Sequence, residues 1–196
     1  FRKFNALNQL DKKMLNYINF SDGYFIECGA NDGINQSNTW HFEKYLNWNG
    51  LLIEPLEDKF IELKKNRSRH NYFYNIALSD SIDKKSLYII NNNLESKVVD
   101  KENKETNVAK FKSTTLTRIL EEISAPKLID FFSLDVEGYE EQVIQGIDFN
   151  IYNFQFLLVE TKNEKVIKFL KENNYELVEK MSHHDYLFKY KERHLT

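Results

Sequence analysis

The chain lacks most of what cross-links or anchors a protein. It holds one cysteine, Cys28, in 196 residues. An internal disulfide and any cysteine-based zinc cluster are therefore excluded. No run approaches the roughly 20 apolar residues that a membrane helix needs. No secretory signal is visible either, which gives cytoplasmic location as the expectation. An excess of one charge is also missing, because 27 basic and 30 acidic residues sum to −3 and are well mixed. A nucleic-acid binder or a polybasic membrane patch does not read that way. There is no internal repeat and no interdomain linker. The nucleotide signatures are incomplete: the loop Gly29-Ala-Asn-Asp-Gly33 lacks the full G-x-G-x-x-G dinucleotide fingerprint, and no P-loop lysine follows.

What remains is a globular composition, 41% hydrophobic and 14% aromatic, long enough for one domain with a sizeable core. The expected division is a single domain over 1–196. An N-terminal helix covers 1–19, a cofactor-binding core 20–160, and a C-terminal helix and hairpin 161–196. The chain opens on Phe1 rather than methionine, so a neighbouring domain in a longer chain is compatible with it.

Tyr24 to Cys28 reads as a short buried strand, with Cys28 a buried inert thiol. The glycine loop follows, and a helix begins near Ser37, where Ser37, Asn38 and Thr39 offer cap oxygens. A second strand, 51–54, ends in Glu54-Pro55. Strand, glycine turn, helix and acid-tipped strand make up the nucleotide half of a doubly wound α/β fold. Leu7, Leu10, Met14, Leu15 and Ile18 predict an amphipathic helix over 5–19. Further helices are predicted at 57–65, 115–123, 139–145 and 163–172. Further strands are predicted at 72–76, 130–134, 156–159, 175–180 and 186–190. The last two follow each other without a long helix and suggest a hairpin with an antiparallel edge strand. Residues 86–90 and 108–112 could be strands, and the polar segment 91–107 reads as a mobile flap.

Ligands of such sheets sit at the carboxyl ends of the strands. Acids recur there: Glu27 and Asp32 around strand 1, Glu54 after strand 2, Asp135 and Glu137 after strand 4, Glu160 after strand 5. An acidic rim suits a cationic cofactor that contains a ribose better than a pyrophosphate. Three readings stand side by side: a methyltransferase, a nicotinamide-dependent oxidoreductase, and a non-catalytic domain of a larger protein.

Glu27-Cys-Gly-Ala-Asn-Asp-Gly33, Ser37-Asn-Thr39, Gly50-Leu-Leu-Ile-Glu-Pro55, Ala77-Leu-Ser79 and Leu134-Asp-Val-Glu-Gly-Tyr-Glu140, with Gly146 downstream, resemble the FkbM-type family of S-adenosylmethionine-dependent methyltransferases. The resemblance runs from about residue 20 to 190. It implies a Rossmann-like class I methyltransferase fold: a seven-stranded, mostly parallel sheet, a C-terminal antiparallel hairpin and helices on both faces. It further implies O-methylation of a sugar, glycan or other small hydroxylated metabolite. By position, Glu27, Gly29, Ala30, Asn31 and Gly33, with Ser37 nearby, would surround the methionine part of the cofactor. Glu54 would hold the ribose hydroxyls beside Pro55. Ala77, Leu78 and Ser79 would border adenine, and Asp135 would face the methyl-transfer centre.

A hydroxyl acceptor has to lose its proton, so a carboxylate or histidine within reach would serve as base. Asp135 comes first, then Glu137, Glu160 and His183, with His184 and His41 as further imidazoles. Glu137 also reads as a helix N-terminal charge, and His183 as a solvent-exposed turn residue. A divalent metal is not expected, although Asp135, Glu160 and Asn163 could supply oxygen ligands if they converged.

Overall fold

The structure, a computed structural model, describes residues 3–82, 87–91, 96–99 and 108–192. In chain order the elements are α1 (Leu10–Met14), β1 (Tyr24–Cys28), α2 (Trp40–Leu46), β2 (Asn49–Ile53), α3 (Glu57–Asn66), β3 (Tyr72–Tyr74), β4 (Ala77–Leu78), β5 (Leu87–Asn91), β6 (Ser96–Val99), β7 (Val108–Phe111), β8 (Ser113–Thr114), α4 (Leu116–Glu122), β9 (Leu128–Leu134), α5 (Glu140–Gln145), β10 (Asn153–Glu160), α6 (Glu164–Glu172), β11 (Tyr175–Lys180) and β12 (Asp185–Tyr190). Seven strands form the main sheet in the order β11-β12-β10-β9-β1-β2-β3. Strand order reverses between β1 and β9, which pair in parallel. That reversal opens the crevice at the carboxyl ends of both strands.

Alternation along the strands sorts the core into two layers. Phe25 of β1 and Phe131 of β9 face α1, α2 and α3, joining Met14, Phe42 and Leu63. Ile26 and Phe132 face the other way, onto Ile119 of α4, Val143 of α5 and Val166 of α6. Each layer is apolar because the central strands are covered on both sides. Helix α6 starts where the Asn163 side chain accepts from Lys165 N at 3.0 Å, and α4 where Thr115 accepts from Arg118 N at 3.2 Å.

Several expectations shift. The first helix is shorter than 5–19, because Asn8 and Gln9 have φ of 52° and 55° and break it. Leu10, Met14 and Ile18 still dock, whereas Leu7 is exposed. The C-terminal hairpin is present, but its antiparallel strand is not the edge. β12 pairs antiparallel with both β10 and β11. The crossover through α6 carries β11 two places beyond β10 and in the same direction, and β12 fills the place between them. The polar segment 91–107 is not all loop, since Ser96–Val99 pairs with β5, which also pairs with β7. Residues 92–95 and 100–107 lie outside the described residues. Among the described residues, no helix is long and apolar enough to cross a membrane.

Candidate active site

A cavity of about 370 Å³ opens at the carboxyl ends of β1, β2 and β9. Gly29, Ala30, Asn31 and Ser37 line it from the glycine loop, and Glu54 and Pro55 from the end of β2. Ala77 and Leu78 come from β4, and Asp135 and Glu137 from the turn after β9. The loops after β1, β2 and β9 meet because these strands are sheet neighbours, and Ala77 and Leu78 join them from β4, which pairs with β8 outside the main sheet.

Gly29 makes the closest approach. It has φ of +80°, and a Cβ there would lie 1.8 Å from the backbone oxygen of Asp135. Its neighbours tie the loop to both flanking strands: Gly29 N donates to Ile53 O at 3.1 Å, and Asp135 N donates to Cys28 O at 3.1 Å.

Glu54 is buried and fixed at both oxygens. Oε2 accepts from Asn31 N at 2.8 Å and Oε1 from Leu56 N at 2.9 Å. Burial pushes its carboxyl above the usual range, and these two backbone donors pull partly against it. Each oxygen keeps a second lone pair for a hydroxyl donor.

Asp135 sits where β9 ends, beside Glu160 at the end of β10, because Leu134 and Val159 are register partners. Burial raises its carboxyl well above the ordinary range, and the charges of Glu160 and Glu137 and a hydrogen bond with Glu160 raise it further. Its Oδ1 is a buried acceptor to which no group donates. The Oδ1 of Asn31, another lining residue, is likewise buried and unpartnered.

Other candidate residues lie elsewhere. Glu27 does not line the cavity. Strand alternation turns it to the α2–α3 face, where Ser37 Oγ, Asn38 N and Thr39 Oγ1 donate to it at 2.9, 2.7 and 2.6 Å. Arg67 Nη1 approaches it at 3.2 Å, and Arg67 Nε reaches Glu43 at 2.7 Å. This buried network fastens the glycine loop from behind. Arg67 and Glu43 escaped the sequence reading because nothing in their spacing links α2 to the end of α3. The Ser37 hydroxyl belongs to the same network although Ser37 borders the cavity. Gly33 packs against Leu63 and Arg67, with φ of +81° and no room for a Cβ. Ser79 is buried behind the cavity wall, its N–H given to Thr114 O at 2.9 Å.

Of the two histidines, His183 is exposed and borders a separate surface groove beside Asn8 and Lys13. His184 instead places Nε2 3.2 Å from Glu160 Oε1. His41 is buried in the N-terminal packing, its Nδ1 2.9 Å from Lys3 O. Among the described residues, no group of three His, Cys, Asp or Glu could hold a metal ion. Asn163 turns its oxygen to its own helix and its amide to Glu141 at 2.8 Å.

The donor and acceptor balance of the cavity fits S-adenosylmethionine. Two buried acceptors without donors, on Asn31 and Asp135, cost roughly 1–3 kcal/mol each unless a bound group donates to them. The cofactor offers an ammonium, two ribose hydroxyls and a sulfonium charge. An acidic, acceptor-rich lining matches that set and does not match a pyrophosphate.

Solved structures of similar shape are methyltransferases of diverged sequence. An FkbM methyltransferase from Methylobacillus flagellatus KT superimposes with a TM-score of 0.55 at 12% identity, over 89% of this chain and 45% of that one. Aeropyrum pernix fibrillarin, solved with natively bound S-adenosyl-L-methionine, gives 0.51 at 9% identity, over 86% of this chain and 66% of its own. A precorrin-6y C5,15-methyltransferase from Geobacter metallireducens GS-15 gives 0.50 at 10% identity, over 92% and 85%. This chain thus spans just under half the length of the FkbM structure. No curated protein sequence matches significantly. These likenesses establish the Rossmann-like methyltransferase fold. The family model of the methyltransferase FkbM domain matches residues 27–188, from the glycine loop to β12, and the chain belongs to that family.

Proposed function

We propose that the protein is an S-adenosylmethionine-dependent O-methyltransferase acting on a hydroxyl of a sugar, glycan or other small hydroxylated metabolite. The observation that carries this reading is Glu54. A buried carboxylate at the tip of β2 is held by two backbone N–H groups, in the same cavity as the Gly29–Asn31 loop and the unpartnered Asp135 oxygen. When bound, the cofactor supplies an electrophilic methyl group on a sulfonium.

The residues then divide by role. Glu54 takes the ribose hydroxyls, with Pro55 setting the turn beside them. Ala77 and Leu78 border the adenine, and Ser79 supports them from behind. Gly29, Ala30 and Asn31 receive the methionine end, where the Asn31 oxygen can accept from the ammonium. Glu27, Gly33 and Ser37 shape that loop rather than touch the ligand. Asp135 stands at the reacting end and accepts the hydroxyl proton, with Glu160 behind it and Glu137 at the mouth. Holding the hydroxyl in a near-attack pose supplies much of the rate. The mixed surface charge supports a small or glycan acceptor over a nucleic acid.

Two measurements test this. Calorimetry with S-adenosylmethionine and S-adenosylhomocysteine should show one shared site, and NADH should not compete for it. A screen of glycans and nucleotide sugars with cofactor labelled in the methyl group should find a hydroxyl acceptor. Binding of NADH in place of the sulfonium cofactor would sink the proposal. Cofactor binding with no methyl transfer to any hydroxyl would leave a non-catalytic domain.

A further inference from the structure

The chain leaves β9 through a turn that its own backbone resists. Asp135 is still tied to β1: its N–H donates to Cys28 O at 3.1 Å, and its carbonyl packs against Gly29. Two successive left-handed residues follow, Glu137 with φ of 53° and Gly138 with φ of 93°, and the chain then enters α5. For Gly138 this conformation is free, and the space around it is open. For Glu137 it is strained, because a Cβ in the left-handed region crowds the following carbonyl. A strained residue persists only where its surroundings hold it. Asp135, Val136 and Glu137 all line the cavity, so whatever holds this turn also shapes the reacting end of the site.

Glu140 holds it. Its Oε1 accepts from Gly138 N at 2.8 Å and, over a longer path, from Val136 N at 3.4 Å. One carboxylate oxygen thus brackets Glu137 from both sides. Glu140 is itself buried, in the first turn of α5, and that helix is firmly seated. Val143 and Ile144 lie in the core. At the far end of the helix, a Cβ on Gly146 would lie 2.2 Å from Ser79 O, so α5 sits hard against the backbone that follows β4.

We propose that Glu140 is a positioning residue for methyl transfer: it clamps the Val136–Gly138 turn in its left-handed form and thereby sets where Asp135 and Glu137 meet the acceptor. The proposal rests on reading the cavity as a methyl-transfer site. The turn is fixed to β1 at one end and to α5, through Glu140, at the other. Without the clamp, Glu137 can relax out of the left-handed region, and the strand end that carries Asp135 loses its outer support. A shift of one ångström in a reacting group costs about 100-fold in rate. The glycine loop and Glu54 make no bond to Glu140 and should keep their hold on the cofactor.

A negative charge in the first turn of a helix also favours the helix dipole. That effect needs the charge, whereas the clamp needs an acceptor oxygen at the right reach. Two conservative variants separate them. Glu140→Gln keeps the oxygen and the length but removes the charge. Glu140→Asp keeps the charge but draws the oxygen back by one methylene.

The test uses the whole chain and two readouts. Amide exchange followed by NMR on the ligand-free protein reports the clamp. Gly138 N–H should exchange at least about 10-fold faster in Glu140→Ala and Glu140→Asp, and near the wild-type rate in Glu140→Gln. With an acceptor in hand, Glu140→Ala and Glu140→Asp should lose about 10- to 100-fold in turnover, while calorimetric affinity for S-adenosylmethionine stays within about 3-fold. Glu140→Gln should keep most of the turnover. A merely structural role would lower affinity and turnover together. If Glu140→Ala does not fold, the comparison of Gln with Asp decides alone. Wild-type exchange and turnover in Glu140→Asp, or a loss in Glu140→Gln as large as that in Glu140→Asp, overturns the proposal. Absence of methyl transfer from every form, wild type included, refutes the proposed function instead, and the exchange of Gly138 still shows whether Glu140 clamps the turn.

Discussion

At the scale of single residues, two carboxylates carry different duties because their surroundings differ. Glu54 is held by two backbone donors and has lone pairs to spare, so it suits hydroxyl recognition. Glu54→Ala should weaken binding of S-adenosylmethionine by about 1.5–3 kcal/mol for each charge-assisted hydrogen bond lost. Calorimetry reads this directly, and an unchanged affinity would remove Glu54 from the ribose site. Asp135 has a buried oxygen without a donor and three acidic neighbours, Glu160, Glu137 and Glu140, so it suits proton exchange. Asp135→Asn keeps the shape and removes the basicity. Turnover should drop by roughly the 10²–10⁴-fold typical of acid–base groups, with cofactor affinity better preserved than in Glu54→Ala. Wild-type turnover in a folded Asp135→Asn protein would end that assignment.

At the scale of elements, the site depends on how tightly β1 and β9 are joined past their ends. Gly29→Ala places a methyl group 1.8 Å from a backbone oxygen, at φ of +80°. Backbone cannot swing aside as a side chain can. The expected loss lies in the exceptional range, about 4 kcal/mol or more, or the protein does not fold. The cap of α6 offers a contrast. Asn163→Ala removes one side-chain bond to Lys165 N and should cost about 1 kcal/mol. Denaturant titration of both variants would separate strand joining from helix capping, and equal small losses would show that β1 and β9 can spread.

At the scale of the whole molecule, the acids at the strand ends set how stability varies with pH. Asp135, Glu54 and Glu140 all have carboxyls raised by burial in the fold. In the window between the ordinary carboxylate value near 4 and the raised value, the folded state binds more protons than the unfolded one. These groups therefore impose no penalty below the window, and stability falls as pH rises through it. Asp32 acts the other way. Burial opposes its charge, but donors from Ile34, Asn35 and the Asn35 amide outweigh it and lower its carboxyl. Its contribution is present above the ordinary value and is lost as pH falls through the lowered one. Calorimetric melting of the ligand-free protein should show Tm falling from about pH 4.5 toward neutral. Asp135→Asn should flatten that fall, matching wild type in acid and exceeding it at higher pH. Parallel curves for the two proteins would show that Asp135 is not the group being strained. Such a gain in stability with a loss of turnover is the usual trade at a site built for chemistry.

Most elements and the family are legible in the residues alone. Tyr24–Cys28, the glycine loop and the acid ending β2 were legible because buried strands are continuous apolar runs and because glycine marks a turn no other residue tolerates. Helix α4 was legible from Leu116, Ile119 and Leu120, and the family from motifs whose spacing spans the chain. Apolar periodicity predicts too long an N-terminal helix, because it continues across Asn8 and Gln9, whose left-handed backbone no periodicity reveals. Which side of a strand each polar residue faces, and what waits there, is set by the packing of distant segments. Glu27 reads as a ligand contact in the loop motif, yet alternation turns it onto Arg67, 40 positions away. His183 and His184 are indistinguishable as neighbours in sequence. The register of β12 against β10 sends only His184 to Glu160. Such pairings depend on contacts between distant segments, and local sequence carries no energy term that reports them.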